Sequence, residues 1–551
     1  MTLEPPRAER QPARATTVSE PTAGFQRTEV LALVGITLVA ILLRLFKISE
    51  WSLWVDEVHT LRDATMEEET FWKTNVSKYP VSATVIRNLL DWGILQSTGE
   101  GWLRLPFAFF GILTIPAVAL FGRSVVGSRP ALLASAFLAV HPWHIYWSQN
   151  VRGYAITCFF ATCAAFLAHR ALRWRSLGLL ALSILCVGIS GMAHPSGFLL
   201  LPAMAVFAGL EIYRDTELRE RIVRPASIAV FSIMSIGLAA WFVPAFFFAA
   251  NEKPDASVVH LVQTIVWFAT PALVIACLAG ILSAKAPGQD RETSFLMSWL
   301  VVPTILLLVL GALFIKATAR FELFIAPAIC LVAAKLCFRL HWLMPGRERR
   351  AFASRWALPA ILVVSFLSYD ALYFTQQYGD RPRWREAAQI VRSEGGGRAI
   401  VLTHHQPSME YYLDRDVFWA GRNRAFKRTH LVDGVTDWKF NESGENGEMG
   451  GGEQYLRNWA ETAIEEDRKL FVVISQPELD AYDLGTREGT NQHTQAPYRH
   501  ESGEFDRAVR RYGRQIAWLS NDIGPRDLTL FVWEIELPLP DLEAPAEDEP
   551  R

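Results

Sequence analysis

The 551-residue chain has no charge excess to speak of: 54 Lys and Arg stand against 56 Asp and Glu. It therefore lacks the basic footprint that a nucleic-acid partner requires. Cysteine is scarce. The six residues, Cys158, Cys163, Cys186, Cys277, Cys330 and Cys337, all sit within apolar runs, and none lies in the polar C-terminal part. That part offers neither a disulfide framework nor a zinc spacing, and the six read as small buried apolar residues. The glycine clusters at 395–397 and 450–452 lack G-x-G-x-x-G spacing and read as loops. Convincing internal repeats, a frequent mark of transporters, are also missing. Charge is sparse across long stretches of residues 30–373, which excludes an ordinary soluble protein.

What fills those stretches is a series of apolar runs of membrane-crossing length. Eleven begin near Val30, Leu103, Pro130, Gly153, Ser176, Pro195, Arg224, Ser257, Ser294, Phe321 and Trp356. The first is followed by Arg44, Leu45, Phe46 and Lys47 instead of a small-residue cleavage site, so it reads as a retained anchor. With the N-terminus in the cytoplasm, the inner short loops hold sixteen Lys and Arg, in groups around Arg123, Arg173, Arg219, Arg291 and Arg349. The outer short loops hold four: Arg152, Lys253, Lys316 and Arg320. This bias sets the orientation. An odd number of spans then puts the C-terminal region outside.

The expected architecture is an α-helical polytopic membrane protein with a small extracytoplasmic α/β domain, in a bacterial plasma membrane. Residues 1–28 form a disordered cytoplasmic tail and 29–375 a transmembrane domain with a long first outer loop at 47–102. Residues 376–536 form the α/β domain, and 537–551 a disordered acidic tail. Within 376–536 the pattern predicts helices at 384–392, 454–466 and 504–512, and strands at 399–403, 470–475, 515–519 and 528–533. His404 and His405 follow a strand but have no further ligand cluster.

On the outer face, polar residues gather. The first outer loop opens with Trp51, Ser52, Leu53, Trp54, Val55, Asp56 and Glu57, and later carries Lys73, Lys78, Tyr79 and Pro80. Gln149, Asn150, Arg152 and Tyr154 occupy the second outer loop, His194 the third, and Lys316 and Arg320 another, with Glu322 just beyond. Ionisable groups at membrane depth are costly and face a cavity or a partner. A carboxylate there can take a proton from an attacking hydroxyl. Nearby Arg and Lys can hold a leaving phosphate, whose charge grows in the transition state. Blander readings exist for each: Asp56 and Glu57 as solvated charges beside anchoring tryptophans, Arg152 as a loop cap, Arg320 paired with Glu322, and His194 as a helix end before Pro195.

The Asp56-Glu57 pair after an aromatic start resembles the signature of the GT-C polytopic glycosyltransferases, nearest to the protein O-mannosyltransferase and lipid A aminoarabinose transferase branch. Arg104, Leu105, Pro106, Gly111, Pro116, Gly122, Arg123 and Gly127 resemble that branch's second span and inner turn. His141, Pro142, Tyr146, Ser148, Gln149, Arg152 and Tyr154 resemble its third span and outer loop, and Arg320, Phe321 and Pro327 a late span start. The similarity covers residues 42–373.

The resemblance implies inverting transfer of a sugar from a polyprenyl-phosphate donor to an extracytoplasmic protein, lipid or glycan. Asp56 would be the base, and Glu57 would support it or help bind donor or metal. Arg152, Lys316 and Arg320 would be donor-phosphate contacts, with Tyr79, Gln149, Tyr154 and His194 as further substrate-binding candidates. Two departures stand out. Tyr79 and Pro80 occupy the place of a His-Pro-Pro stretch, and Gln149 and Asn150 that of an acidic residue. They leave a second acidic contact and metal dependence open; the sequence requires no cofactor, and a divalent metal has no supporting cluster. Two rival classes fit the span count: a transporter or flippase, and a non-catalytic sensor or assembly protein.

Overall fold

The computed structural model describes residues 25–68, 71, 80–95, 99–222, 258–283, 291–313, 317–343, 348–403, 405–415, 417–419, 452–475, 505–524 and 528–540, with isolated residues between 224 and 240. Among the described residues, seven helical segments are long and apolar enough to cross a membrane: Arg27–Leu45, Glu100–Val126, Tyr154–Arg173, Pro195–Arg214, Arg291–Leu313, Ala319–Arg339 and Trp356–Thr375. The protein is a multi-pass integral membrane protein by this measure. An eighth crossing arises if Leu261–Ala269 and Pro271–Leu282, bent by 98°, count as one span.

Where the eleven expected runs differ from these helices, local chemistry gives the reason. The run from Pro130 forms Ser128–Ala139, stops at His141, and restarts as Pro142–Ser148. Pro142 has no N–H to continue the preceding helix but suits the first position of a new one. The run from Ser257 bends at Thr270, whose φ is +68°, just before Pro271. The run from Ser176 gives a helix of 17 residues, Leu177–Ala193. The run from Arg224 lies largely outside the described residues.

Helix packing relies on small residues at close approach. At Gly153 an added Cβ would strike the Ala193 carbonyl, so the start of Tyr154–Arg173 lies directly against the end of Leu177–Ala193. Basic residues at one end of the bundle tie their loops together. Arg175 Nε lies 2.9 Å from Asp215, and Arg291 Nε 2.9 Å from Glu211.

Beyond Thr375 the chain forms a five-stranded sheet: β1 (Ile400–Thr403), β2 (Phe418–Trp419), β3 (Leu470–Ser475), β4 (Gly513–Leu519) and β5 (Leu530–Ile535), in the order β2-β1-β3-β5-β4. β1 is parallel to β2 and β3, whereas β5 is antiparallel to β3 and β4. Alternate residues of β1 and β3 face opposite ways, as a period of two dictates. Leu402 and Val472 pack with Leu456, Ala460 and Val509 on one face. Val401, Phe471 and Val473 pack with Trp384, Ala387 and Met409 on the other.

This sheet domain grips the first outer loop. The Tyr412 hydroxyl accepts from Leu53 N at 2.5 Å and donates to Glu100 Oε1 at 2.9 Å. Arg385 Nη2 reaches Glu100 Oε1 at 2.5 Å, and Arg385 N donates to Ser52 Oγ at 3.0 Å. The helix that supplies Tyr412, Gln406–Leu413, was not expected from sequence; Pro407 at its start conceals it.

Candidate active site

The site is organised by the helix Val55–Ala64, which starts at Trp54 and carries Asp56 and Glu57 in its first turn, where negative charge favours the helix dipole. Consecutive helical residues point about 100° apart. The two carboxylates therefore diverge, one inward and one toward the opening.

Glu57 points inward and is fully buried. Its Oε1 accepts from Arg104 Nε and from Val151 N, each at 3.0 Å. Its Oε2 accepts from Arg104 Nη2 at 2.9 Å and Arg381 Nε at 3.2 Å. Burial by itself would raise its pKa, but the Arg104 and Arg381 charges outweigh that and hold the carboxyl below its usual range. Arg381 is pushed up by the same pairing, against its own burial. With both oxygens occupied, Glu57 presents nothing to a donor or a metal. Its geometry suits the supporting role instead.

Asp56 points the other way, with a quarter of its side chain exposed. Its Oδ2 lies 3.4 Å from Arg320 Nη1 and 3.9 Å from Arg152 Nη2. Arg152 Nη1 also contacts Thr60 Oγ1 at 3.3 Å, and that hydroxyl donates to the Asp56 carbonyl at 3.0 Å. Residues 264 apart in sequence thus meet at one carboxylate.

An aromatic wall surrounds this cluster. Ring centroids run from Trp54 to Trp147 (6.5 Å), Tyr154 (4.3 Å), His194 (4.5 Å) and Phe321 (5.0 Å). The Arg320 guanidinium closes the circuit, 5.4 Å from Phe321 and 6.0 Å from Trp54. His194 lies where a helix end was expected. It ends the Leu177–Ala193 helix, and its ring joins the wall. Its Nδ1 lies 2.8 Å from Ser196 Oγ and 3.3 Å from Ser196 N.

Gln149 does not line this opening. It is fully buried. Its Nε2 donates to the Arg44 and Phe46 carbonyls at 3.1 and 2.8 Å, and its Oε1 accepts from Tyr373 Oη at 2.8 Å. It ties the end of the first span to the last span, Trp356–Thr375. Tyr79 and Lys316 lie outside the described residues. Among the described residues, no group of three or more His, Cys, Asp or Glu side chains could hold a metal ion.

Sequence reasoning missed Arg381 and Tyr373, and met Arg104 only as part of a span motif. Arg381 follows the last span in a stretch with no recognisable pattern, and only the folded chain brings it to Glu57.

No family model matches the chain, and no curated protein matches it by sequence. Solved structures do. ArnT from Cupriavidus metallidurans in the apo state superposes with a TM-score of 0.51 at 13% identity, covering 92% of this chain and 97% of that one. The chain has a GT-C fold. The same ArnT bound to undecaprenyl phosphate gives a TM-score of 0.50, with equal identity and coverage. An Archaeoglobus fulgidus oligosaccharyltransferase tethered to an acceptor peptide gives 0.48 at 14% identity, covering 90% of this chain and 72% of that one. At these identities the shared property is the GT-C fold, in the form that resembles ArnT.

Proposed function

We propose that the protein is an integral-membrane glycosyltransferase that moves a sugar from a polyprenyl-phosphate donor to an acceptor hydroxyl on the extracytoplasmic side. The observation that carries this reading is the meeting of Asp56 with Arg152 and Arg320 inside an aromatic wall. A ligand of ArnT, undecaprenyl phosphate, has the chemistry such a cluster would take.

In the proposed reaction the donor phosphate rests against Arg152 and Arg320, where the fixed cations suit its growing charge. Lys316 is a further candidate for this contact, and Tyr79 and Tyr154 for the sugar. The acceptor oxygen attacks the anomeric carbon from the face opposite the phosphate. Its proton passes to Asp56 as the new carbon–oxygen bond forms. The old bond to phosphate breaks, the electron pair leaves with polyprenyl phosphate, and the anomeric configuration inverts. Polyprenyl phosphate is already a weak base, so its departure needs no general acid. Before the donor arrives, the same arginines neutralise Asp56. Phosphate entry would draw them off the carboxylate and leave it free to take the proton.

The orientation belongs to this proposal too. Loops rich in Lys and Arg face the cytoplasm, and Asp56 opens on the other side. The sheet domain, residues 376–536, then lies outside the cytoplasm above the site, in a bacterial plasma membrane. The count of eleven spans remains part of the same proposal.

The test uses purified protein, a panel of radiolabelled polyprenyl-phosphate sugars and a membrane extract as acceptor. Label should move covalently to the extract, with the anomeric configuration inverted. Solute movement across a sealed vesicle with no covalent product would instead make the protein a transporter.

A further inference from the structure

Two arginines stand close together at the end of the bundle away from Asp56. Arg104 meets Glu57 near the start of the span Glu100–Val126, and Tyr154–Arg173 begins two residues after Arg152, which faces Asp56. Both spans therefore end on the far side, at Arg123 and Arg170. From Arg104 to Arg123 the helix rises about 28 Å, at 1.5 Å per residue. Other basic side chains at that end are neutralised. Arg175 pairs with Asp215 at 2.9 Å and with Glu217, and Arg291 and Arg214 pair with Glu211 at 2.9 and 3.1 Å. Arg123 and Arg170 make no ion pair among the described residues, yet they stand close enough for their charges to repel.

The layer packed behind the pair is aromatic. The buried Phe121 ring lies 6.1 Å from buried His169 and 6.3 Å from Phe166. The guanidinium groups rest on rings: Arg170 lies 4.1 Å from Phe166 and 5.0 Å from Trp174, and Arg123 lies 5.0 Å from Phe25. A ring face steadies a guanidinium but offsets little of its charge. Trp174 is 58% exposed, as tryptophans at a membrane–water boundary are. The inward bias of basic residues accounts for arginine at this end. It does not account for two neighbouring ones that no acid offsets.

An apolar track leads away from the pair. Phe159, Cys163, Phe166 and Arg170 are partly exposed and fall at steps of three or four residues, which keeps them on one helix face. Exposed Leu120 and Phe109 belong to the adjoining span. From Phe159 to Arg170 the helix rises about 16 Å, close to the roughly 15 Å depth of one leaflet's hydrocarbon. We infer that this seam binds an anionic phospholipid, with its phosphate between Arg123 and Arg170 and an acyl chain along Phe166 and Phe159. The planar donors of arginine match phosphate oxygens, and basic pockets between spans take such headgroups. A zwitterionic headgroup brings a cation of its own and relieves the pair less. Free phosphate leaves the apolar track unused. The inference does not depend on the transferase reading.

The experiment is native mass spectrometry of the full-length protein, stripped of lipid in neutral detergent. It is titrated with dioleoyl phosphatidylglycerol and, separately, with dioleoyl phosphatidylcholine. The anionic lipid should bind roughly tenfold or more tightly than the zwitterionic one. Arg123→Gln and Arg170→Gln should each reduce that preference about fivefold or more. Arg219→Gln removes the same charge from an exposed position at the same end and should leave the preference as in the wild type. Excess inorganic phosphate should not displace the lipid. Should the arginine variants fail to fold, a diazirine-tailed phosphatidylglycerol photolysed on the wild type tests the same seam, and should label Glu100–Val126 or Tyr154–Arg173. The inference is overturned if the two lipids bind equally, or if the folded arginine variants keep the preference. It is also overturned if Arg219→Gln loses the preference as well, if phosphate displaces the lipid, or if the photolabel falls outside those two spans.

Discussion

Arg381 Nε lies 3.2 Å from Glu57 Oε2, and neither side chain is exposed to solvent. The pair links the start of the sheet domain to the helix that carries Asp56. Arg104 completes the cluster from the Glu100–Val126 span. Removing one member of a buried charge cluster leaves an uncompensated charge, at a cost of about 3–5 kcal/mol. Arg381→Ala should therefore lower the midpoint of thermal unfolding sharply and reduce transfer by displacing Asp56. A variant with unchanged unfolding would show that the cluster does not hold the loop.

The pairing also sets a pH dependence. Glu57 is held below its usual pKa, so the folded state binds its proton less readily than the unfolded chain. Its contribution to stability is complete above the unfolded-state pKa of about 4.3 and is lost as pH falls from there through the folded value. Glu57→Gln should be less stable than the wild type at neutral pH, and the two should converge on acidification. Unfolding curves recorded across that range check the sign.

Gln149 and Arg320 should separate structure from chemistry. Gln149→Ala strips a buried anchor from two helix-end carbonyls and from Tyr373. It should cost about 1–3 kcal/mol for each group left unsatisfied, with the KM for donor little changed in the protein that folds. Arg320→Ala should do the reverse. Loss of a charge-assisted contact of about 1.5–3 kcal/mol lowers kcat/KM by roughly 10- to 100-fold while unfolding barely moves. Steady-state kinetics beside unfolding midpoints distinguish the two.

Tyr412→Phe removes the hydroxyl that joins Leu53 to Glu100. Two hydrogen bonds at about 0.5–1.5 kcal/mol each should be lost. Limited proteolysis should then cut faster between the last span and the sheet domain. An unchanged rate would mean that Arg385 and Arg381 fasten the domain without Tyr412.

Much of this arrangement is legible in sequence because it rests on local signals. Apolar length marks the spans, and the short continuous apolar run Leu470–Ser475 marks β3. The Asp56-Glu57 pair, Arg152 and Arg320 stand out in the sequence as candidate site residues, since charge near a membrane is expensive. The sequence does not say that Glu57 turns inward. That follows from the helix phase and from Arg381, more than 300 residues away. Gln149 is misleading for the same reason: its place in an outer-loop motif suggests substrate, whereas its amide is spent on helix-end carbonyls. The bends at His141 and Thr270 interrupt runs whose hydrophobicity alone reads as continuous.

The central claim is that Asp56 takes the acceptor proton. Single-turnover sugar transfer by Asp56→Asn, compared with the wild type at saturating donor, tests it most directly. The substitution keeps the shape of the side chain and removes its basicity. A fall of at least 100-fold with donor binding and unfolding midpoint retained is the predicted result, in line with about 10²–10⁴ for loss of a general base. Transfer at the wild-type rate would contradict the assignment.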